Sequence, residues 1–260
     1  GLAFSLPLIP EALSIQIMNQ SDKIMIQKMI SNEAAGIFAL ATTISFIIWI
    51  LEDSVWNAWI PWLYAKISQG EEKEVAKPWT SVMHMFGIFS WVIVMLAPEA
   101  IAILGPAKYR PAVWLIAPMV SGTLFRFYSY SYSALQNYYK RTQYVAAGTI
   151  GTMVLNVILN YVCILNFGYM AAAYTTAFSY IILLLVQGIL EHKITGMVIV
   201  PLRKTLLIAV VYGAINLLSM NLYETAWYFR YAVLILVVVA AAIALRKQMA
   251  AVLKMFKKRK

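Results

Sequence analysis

The sequence predicts an all-α protein, a polytopic transmembrane helix bundle of about eight spans, and three observations carry that. First, 62% of the 260 residues are hydrophobic and only 12% are charged, with a mean hydropathy of +0.73, whereas soluble domains average about 45–50% apolar and about 25% charged. Second, the apolar runs reach the roughly 20 residues that cross about 30 Å of hydrocarbon as helix, too long for barrel strands. Third, the basic residues fall mainly between those runs.

Taken in order, the spans are expected at 5–30, 34–65, 79–104, 111–137, 142–166, 169–190, 202–221 and 226–246. Breakers separate them. Ser31-Asn32-Glu33 closes the first, SQGEEKEVAKP (68–78) forms the longest loop, and GPAKYRP, Lys140-Arg141-Thr142, residues 166–168, residues 191–204 and residues 221–224 mark the rest. Tyr and Ser alternate over 128–133, a strand-like pattern, but within a helix-length apolar segment. Cys163 is the only cysteine, which excludes an intrachain disulfide and suggests no Cys-based metal site.

An even span number puts both ends on one side. With the basic tail (247–260) cytoplasmic, fifteen of the 21 Lys and Arg residues lie on that side, four (Lys28, Lys108, Arg110, Arg230) lie opposite, and Lys23 and Arg126 lie within spans. This asymmetry orients the bundle. The net charge of +10 thus reflects topology and points away from nucleic acid, while the tail also suits anionic lipid. The chain opens with Gly1 rather than Met, so a segment upstream is expected.

The first span is oddly polar. At 100° per residue, Gln16, Gln20, Lys23 and Gln27 share one stripe, Glu11, Met18, Asp22 and Met25 another, and Asn19 lies between. Ionisable groups at membrane depth face a bundle interior or a wet cavity. In the second span Trp49, Glu52, Trp56 and Trp59 share a face, with Asp53 and Asn57 on its edge. Neighbouring mid-span carboxylates require a cation, a proton or water, supplied either by an internal ion pair with Lys23 or Arg126 or by a transported ion. Trp59 and Trp62, beside Pro61, are read as an interfacial belt. Arg126 in the fourth span is flanked by Tyr128, Tyr130 and Tyr132. Its guanidinium suits either phosphate recognition or pairing with Asp22, Glu52 or Asp53. Thr149, Thr152, Asn156 and Asn160 align on the fifth span and are read as helix-packing residues. His84 and His192 have no metal-ligand partner at helical spacing, and no nucleophile elbow, P-loop or dinucleotide fingerprint occurs. No catalytic residue, metal or cofactor is therefore expected.

Several stretches together resemble one family. PLIPEALSIQIMNQSDKIMI (7–26), with Asp22, Lys23 and Ile24-Met25-Ile26, is similar to the seventh helix of the polysaccharide-export flippases, within the multidrug/oligosaccharidyl-lipid/polysaccharide exporter superfamily. Ala35-Gly36-Ile37-Phe38-Ala39, Trp59-Ile60-Pro61-Trp62-Leu63-Tyr64, Leu104-Gly105 through Tyr109 with Pro111-Ala112, and Phe167-Gly168 through Ala172-Ala173-Tyr174-Thr175-Thr176 with Ser179-Tyr180 resemble later stretches in the same order.

The resemblance implies helices seven to fourteen of a fourteen-helix plan. These comprise a six-helix lobe over 1–195, two further helices over 196–246 and the basic tail, completed by an N-terminal lobe of the same chain or by a second copy. It implies a bacterial cytoplasmic-membrane flippase for lipid-linked oligosaccharide in cell-surface polysaccharide biosynthesis, working by alternating access. In that scheme Lys23 and Arg126 meet the pyrophosphate. Gln16, Asn19 and Gln20 meet sugar hydroxyls, and Trp49, Trp56 and Tyr130 stack on sugar or isoprenoid. Asp22, Glu52, Asp53 and Glu11 pair charges or carry a coupling proton or Na⁺. A multidrug or other cation antiporter of the same superfamily is the closest alternative. A membrane-embedded enzyme of polysaccharide assembly is a second, and a purely structural subunit with all its charges internally paired is a third.

Overall fold

The computed structural model describes residues 8–196 and 199–257, and their side chains apart from those of Leu8, Glu11 and 244–257. Among the described residues the chain is all helical, with nine α-helices: α1 (Leu8–Met29), α2 (Asn32–Ser68), α3 (Ala76–Met95), α4 (Ala97–Leu104), α5 (Val113–Tyr138), α6 (Thr142–Phe167), α7 (Ala171–Thr195), α8 (Leu202–Ser219) and α9 (Trp227–Lys257). The Tyr/Ser alternation lies inside α5. Five segments, those of α2, α3, α6, α7 and α8, are long and apolar enough to cross a membrane, which suggests a multi-pass membrane protein. α1 and α5 are long enough but more polar, and they hold Lys23 and Arg126.

The expected span 79–104 is two helices. Pro98 lacks the N–H that would bond the Val94 carbonyl, and the Tyr223 hydroxyl donates to that carbonyl instead, at 2.8 Å. α3 therefore stops at Met95 and α4 starts anew at Ala97. Elsewhere the ends follow local chemistry. Ser31 caps α2, its hydroxyl accepting from Ala34 N–H at 3.1 Å. α2 and α5 both end in the paired 6→1 and 5→2 hydrogen bonds of a Schellman turn. Gly70 takes the left-handed position in one (φ 73°), and Lys140 takes it in the other (φ 57°).

α5 is the central helix and touches α2, α3, α6, α7 and α8. α1 packs on α2 and α6, and α9 packs on α3. α5 approaches α7 closely because Gly122 lacks a Cβ, which would sit 3.1 Å from Ala177 Cα. Asn216 of α8 donates to Ser90 of α3 (3.3 Å) and Ser121 of α5 (3.2 Å), knitting three helices. Trp59 is not an interfacial belt residue. It is 1% exposed, packed between Trp62 and Trp79 with ring centroids 4.8 and 5.2 Å away, because the second turn of α3 brings Trp79 against it.

Candidate functional site

A cavity of about 450 Å³ opens between α1, α2, α5 and α7. Gly122 lets α5 come close to α7. With α5 and α7 in near-backbone contact there, Arg126 one turn further on reaches the same cavity as Thr176 and Tyr180 of α7. α1 contributes Gln16, Asn19, Gln20, Asp22 and Lys23, and α2 contributes Thr42, Ser45 and Trp49.

Arg126 is 4% exposed. One guanidinium nitrogen donates to Glu52 Oε2 at 3.1 Å. Its plane lies near Trp49 (4.7 Å to the ring centroid) and Tyr130 (5.5 Å), a cation–π clamp. Glu52 does not line the cavity. It holds Arg126 from behind, and its Oε1 has no hydrogen-bond partner among the described residues. Charge pairing, left open by the sequence, is thus what Glu52 provides.

Asp22, also 4% exposed, is held differently. Asn160 donates to its Oδ1 at 2.5 Å and Thr176 to its Oδ2 at 2.9 Å. Asn160 in turn donates to Asn156 Oδ1 at 3.2 Å and accepts from the Thr175 hydroxyl. Asn156 donates to Thr176 at 3.1 Å. Neither Asp22 nor Lys23 forms an ion pair among the described residues. Lys23 does not neutralise its neighbour; it is half-buried and faces the cavity.

Of the residues expected at the site, Lys23, Arg126, Gln16, Asn19, Gln20, Trp49 and Asp22 line the cavity, and Tyr130 and Glu52 support Arg126. Trp56 is not at the cavity. It packs on Trp79, Phe127 and Tyr130 (centroids 6.0, 6.3 and 5.6 Å away) in the aromatic core. Asp53 is not there either. It is exposed and accepts from Asn57 at 3.2 Å, because one residue of helical rotation turns it 100° from Glu52. The Glu11 side chain lies outside the described residues. Sequence reasoning missed Thr176 and Tyr180; Asn160, read as packing rather than substrate-binding, does join α6 to α1 and α7, through Asp22 and Thr175. Thr175, Thr176 and Ser179 at helical spacing were the available signal on α7.

The cavity wall thus combines a guanidinium, an ammonium and the Asp22 carboxylate with amides, hydroxyls and an indole. Among the described residues no group of three or more His, Cys, Asp or Glu side chains is placed to hold a metal ion. Compared with family models, curated proteins and solved structures, the chain matches none.

Proposed function

We propose that this chain is the C-terminal part of a membrane flippase for lipid-linked oligosaccharide, serving surface polysaccharide assembly at a bacterial cytoplasmic membrane. The observation that carries this reading is Arg126 at the cavity surface, fixed by Glu52, Trp49 and Tyr130, with the unpaired Lys23 facing the same space. Two cations at that position suit a pyrophosphate, and Gln16, Asn19 and Gln20 suit sugar hydroxyls. Gln16, Gln20 and Thr43 of the cavity wall, and Asp53 and Asn57 further along α2, are exposed. Such groups are costly against lipid, so this face is assigned to a second lobe or a second copy that completes the cavity.

In cells that depend on the protein, Arg126→Ala and Lys23→Ala are each expected to reduce polysaccharide export at least about tenfold, since a charge-assisted contact contributes about 1.5–3 kcal/mol. Unchanged export from both, at normal expression, sinks the assignment.

A cation antiporter is favoured by one observation, the buried Asp22 carboxylate held only by neutral donors. In the flippase reading the same group is the seat of a coupling proton or Na⁺. Binding of a polyprenyl pyrophosphate against an organic cation such as tetraphenylphosphonium separates the two.

A further inference from the structure

A second cavity, of about 380 Å³, lies between the first three turns of α3 and the start of α8. Lys73 and Lys77 reach it from the α3 side and Lys204 from α8, with Thr80, Ser81 and His84 between them. None of the three lysines forms an ion pair among the described residues, whereas Glu71 and Glu74 of the same loop are both turned onto Lys66. Three ammonium groups without an ion-pair partner among the described residues therefore line one hollow, while the Thr80 and Ser81 hydroxyls beside them donate to Ala76 O (2.8 Å) and Lys77 O (3.3 Å) of their own helix.

The inner end is closed. His84 Nδ1 meets the Tyr212 hydroxyl at 3.2 Å, and the Tyr212 ring lies flat on Gly87, where a Cβ would come within 2.5 Å of it. α8 carries an apolar track beyond Lys204. Leu207 and Val211 follow Lys204 at helical spacing and are 64% and 45% exposed.

We propose that this pocket seats the phosphate headgroup of an anionic phospholipid. Lys73, Lys77 and Lys204 hold the phosphate, and an acyl chain runs along Leu207 and Val211. Basic hollows between membrane helices recognise lipid headgroups in this way. The apolar track is what assigns the site to a lipid rather than to free phosphate, which would use only the basic end. The site shares no residue with the Arg126 cavity, so failure of the transport reading leaves it standing.

The test uses the delipidated chain in neutral detergent, with native mass spectrometry reading bound dioleoyl phosphatidylglycerol, dioleoyl phosphatidylcholine and inorganic phosphate. Phosphatidylglycerol is expected to bind at least about tenfold tighter than the other two. The Lys73→Gln/Lys77→Gln/Lys204→Gln variant is expected to lose on the order of 100-fold, and the control Lys140→Gln/Lys193→Gln/Arg203→Gln less than about threefold. Ser81→Leu keeps every charge but fills the hollow, and it is expected to lose binding as well. Equal retention of phosphatidylcholine, equal affinity for inorganic phosphate, equal losses in the two triple variants, or full binding by Ser81→Leu would each overturn the proposal.

Discussion

Glu52 and Asp22 are two buried carboxylates in one bundle, and the protein treats them in opposite ways. Glu52 meets a guanidinium at 3.1 Å. Asp22 meets an amide at 2.5 Å and a hydroxyl at 2.9 Å. Both are almost fully buried, at 1% and 4% exposure. The Glu52 pair is charge-balanced, and it holds a guanidinium that lies near both Trp49 and Tyr130. The Asp22 cluster has well-made hydrogen bonds and an unbalanced charge. The difference teaches that burial alone does not define the role of a carboxylate. The charge of its partner decides whether it is a fixture or a group with something left to bind.

The strongest way to break the comparison is to remove the cation from the closed pair. Arg126→Met leaves Glu52 buried and unpaired, and it is expected to destabilise the bundle by about 3–5 kcal/mol, measured by unfolding in mixed detergent micelles. Glu52→Leu combined with Arg126→Met is expected to recover most of that loss, since an apolar pair of similar volume replaces a buried ion pair at little net change. If the double variant is no more stable than Arg126→Met, Glu52 has another partner and is not a fixture for Arg126.

A smaller effect is expected at the open carboxylate. Asn160→Ala removes the 2.5 Å donor to Asp22 and the link to Asn156, and it should destabilise by about 1–3 kcal/mol. Asp22→Asn keeps the shape and discards the unbalanced charge, so it is expected to fall within about 1 kcal/mol of the parent. The sharper readout is ionic. A Na⁺-dependent rise in melting temperature is expected in the parent and absent from Asp22→Asn. The same rise in both would separate Asp22 from any cation.

Much of this was legible in the chain. Long apolar runs with polar breakers specify helices, because the membrane leaves few other ways to satisfy the backbone. A lone Arg126 or an Asp22-Lys23 pair in such a run stands out by cost. What was not legible is who meets whom. Asn160 and Thr176 lie on helices far along the chain from Asp22, and no single-helix periodicity reports that α1 packs on α6. Trp59 looked interfacial beside Pro61 because Trp79, which buries it, belongs to the next helix. The break at Leu96 was visible in Pro98, but counting apolar residues over 79–104 overrode it, and the Tyr223 hydroxyl that completes the break comes from beyond α8.

The smallest expected effect is at the residue next to Glu52. Asp53 is exposed on α2 and, among the described residues, bonds Asn57 at 3.2 Å. Asp53→Asn should therefore change stability by no more than about 0.5 kcal/mol, the range for open surface sites. This near-silence carries information because Glu52 and Asp53 share composition, depth and sequence context and differ by one step of helical rotation. A loss above about 1 kcal/mol in detergent would mean that Asp53 is covered in the purified protein. The polar face of α1 and α2 would then already be occupied by a second copy. Under the proposed function, a loss in export without a loss in stability would place the covering surface in a larger assembly instead.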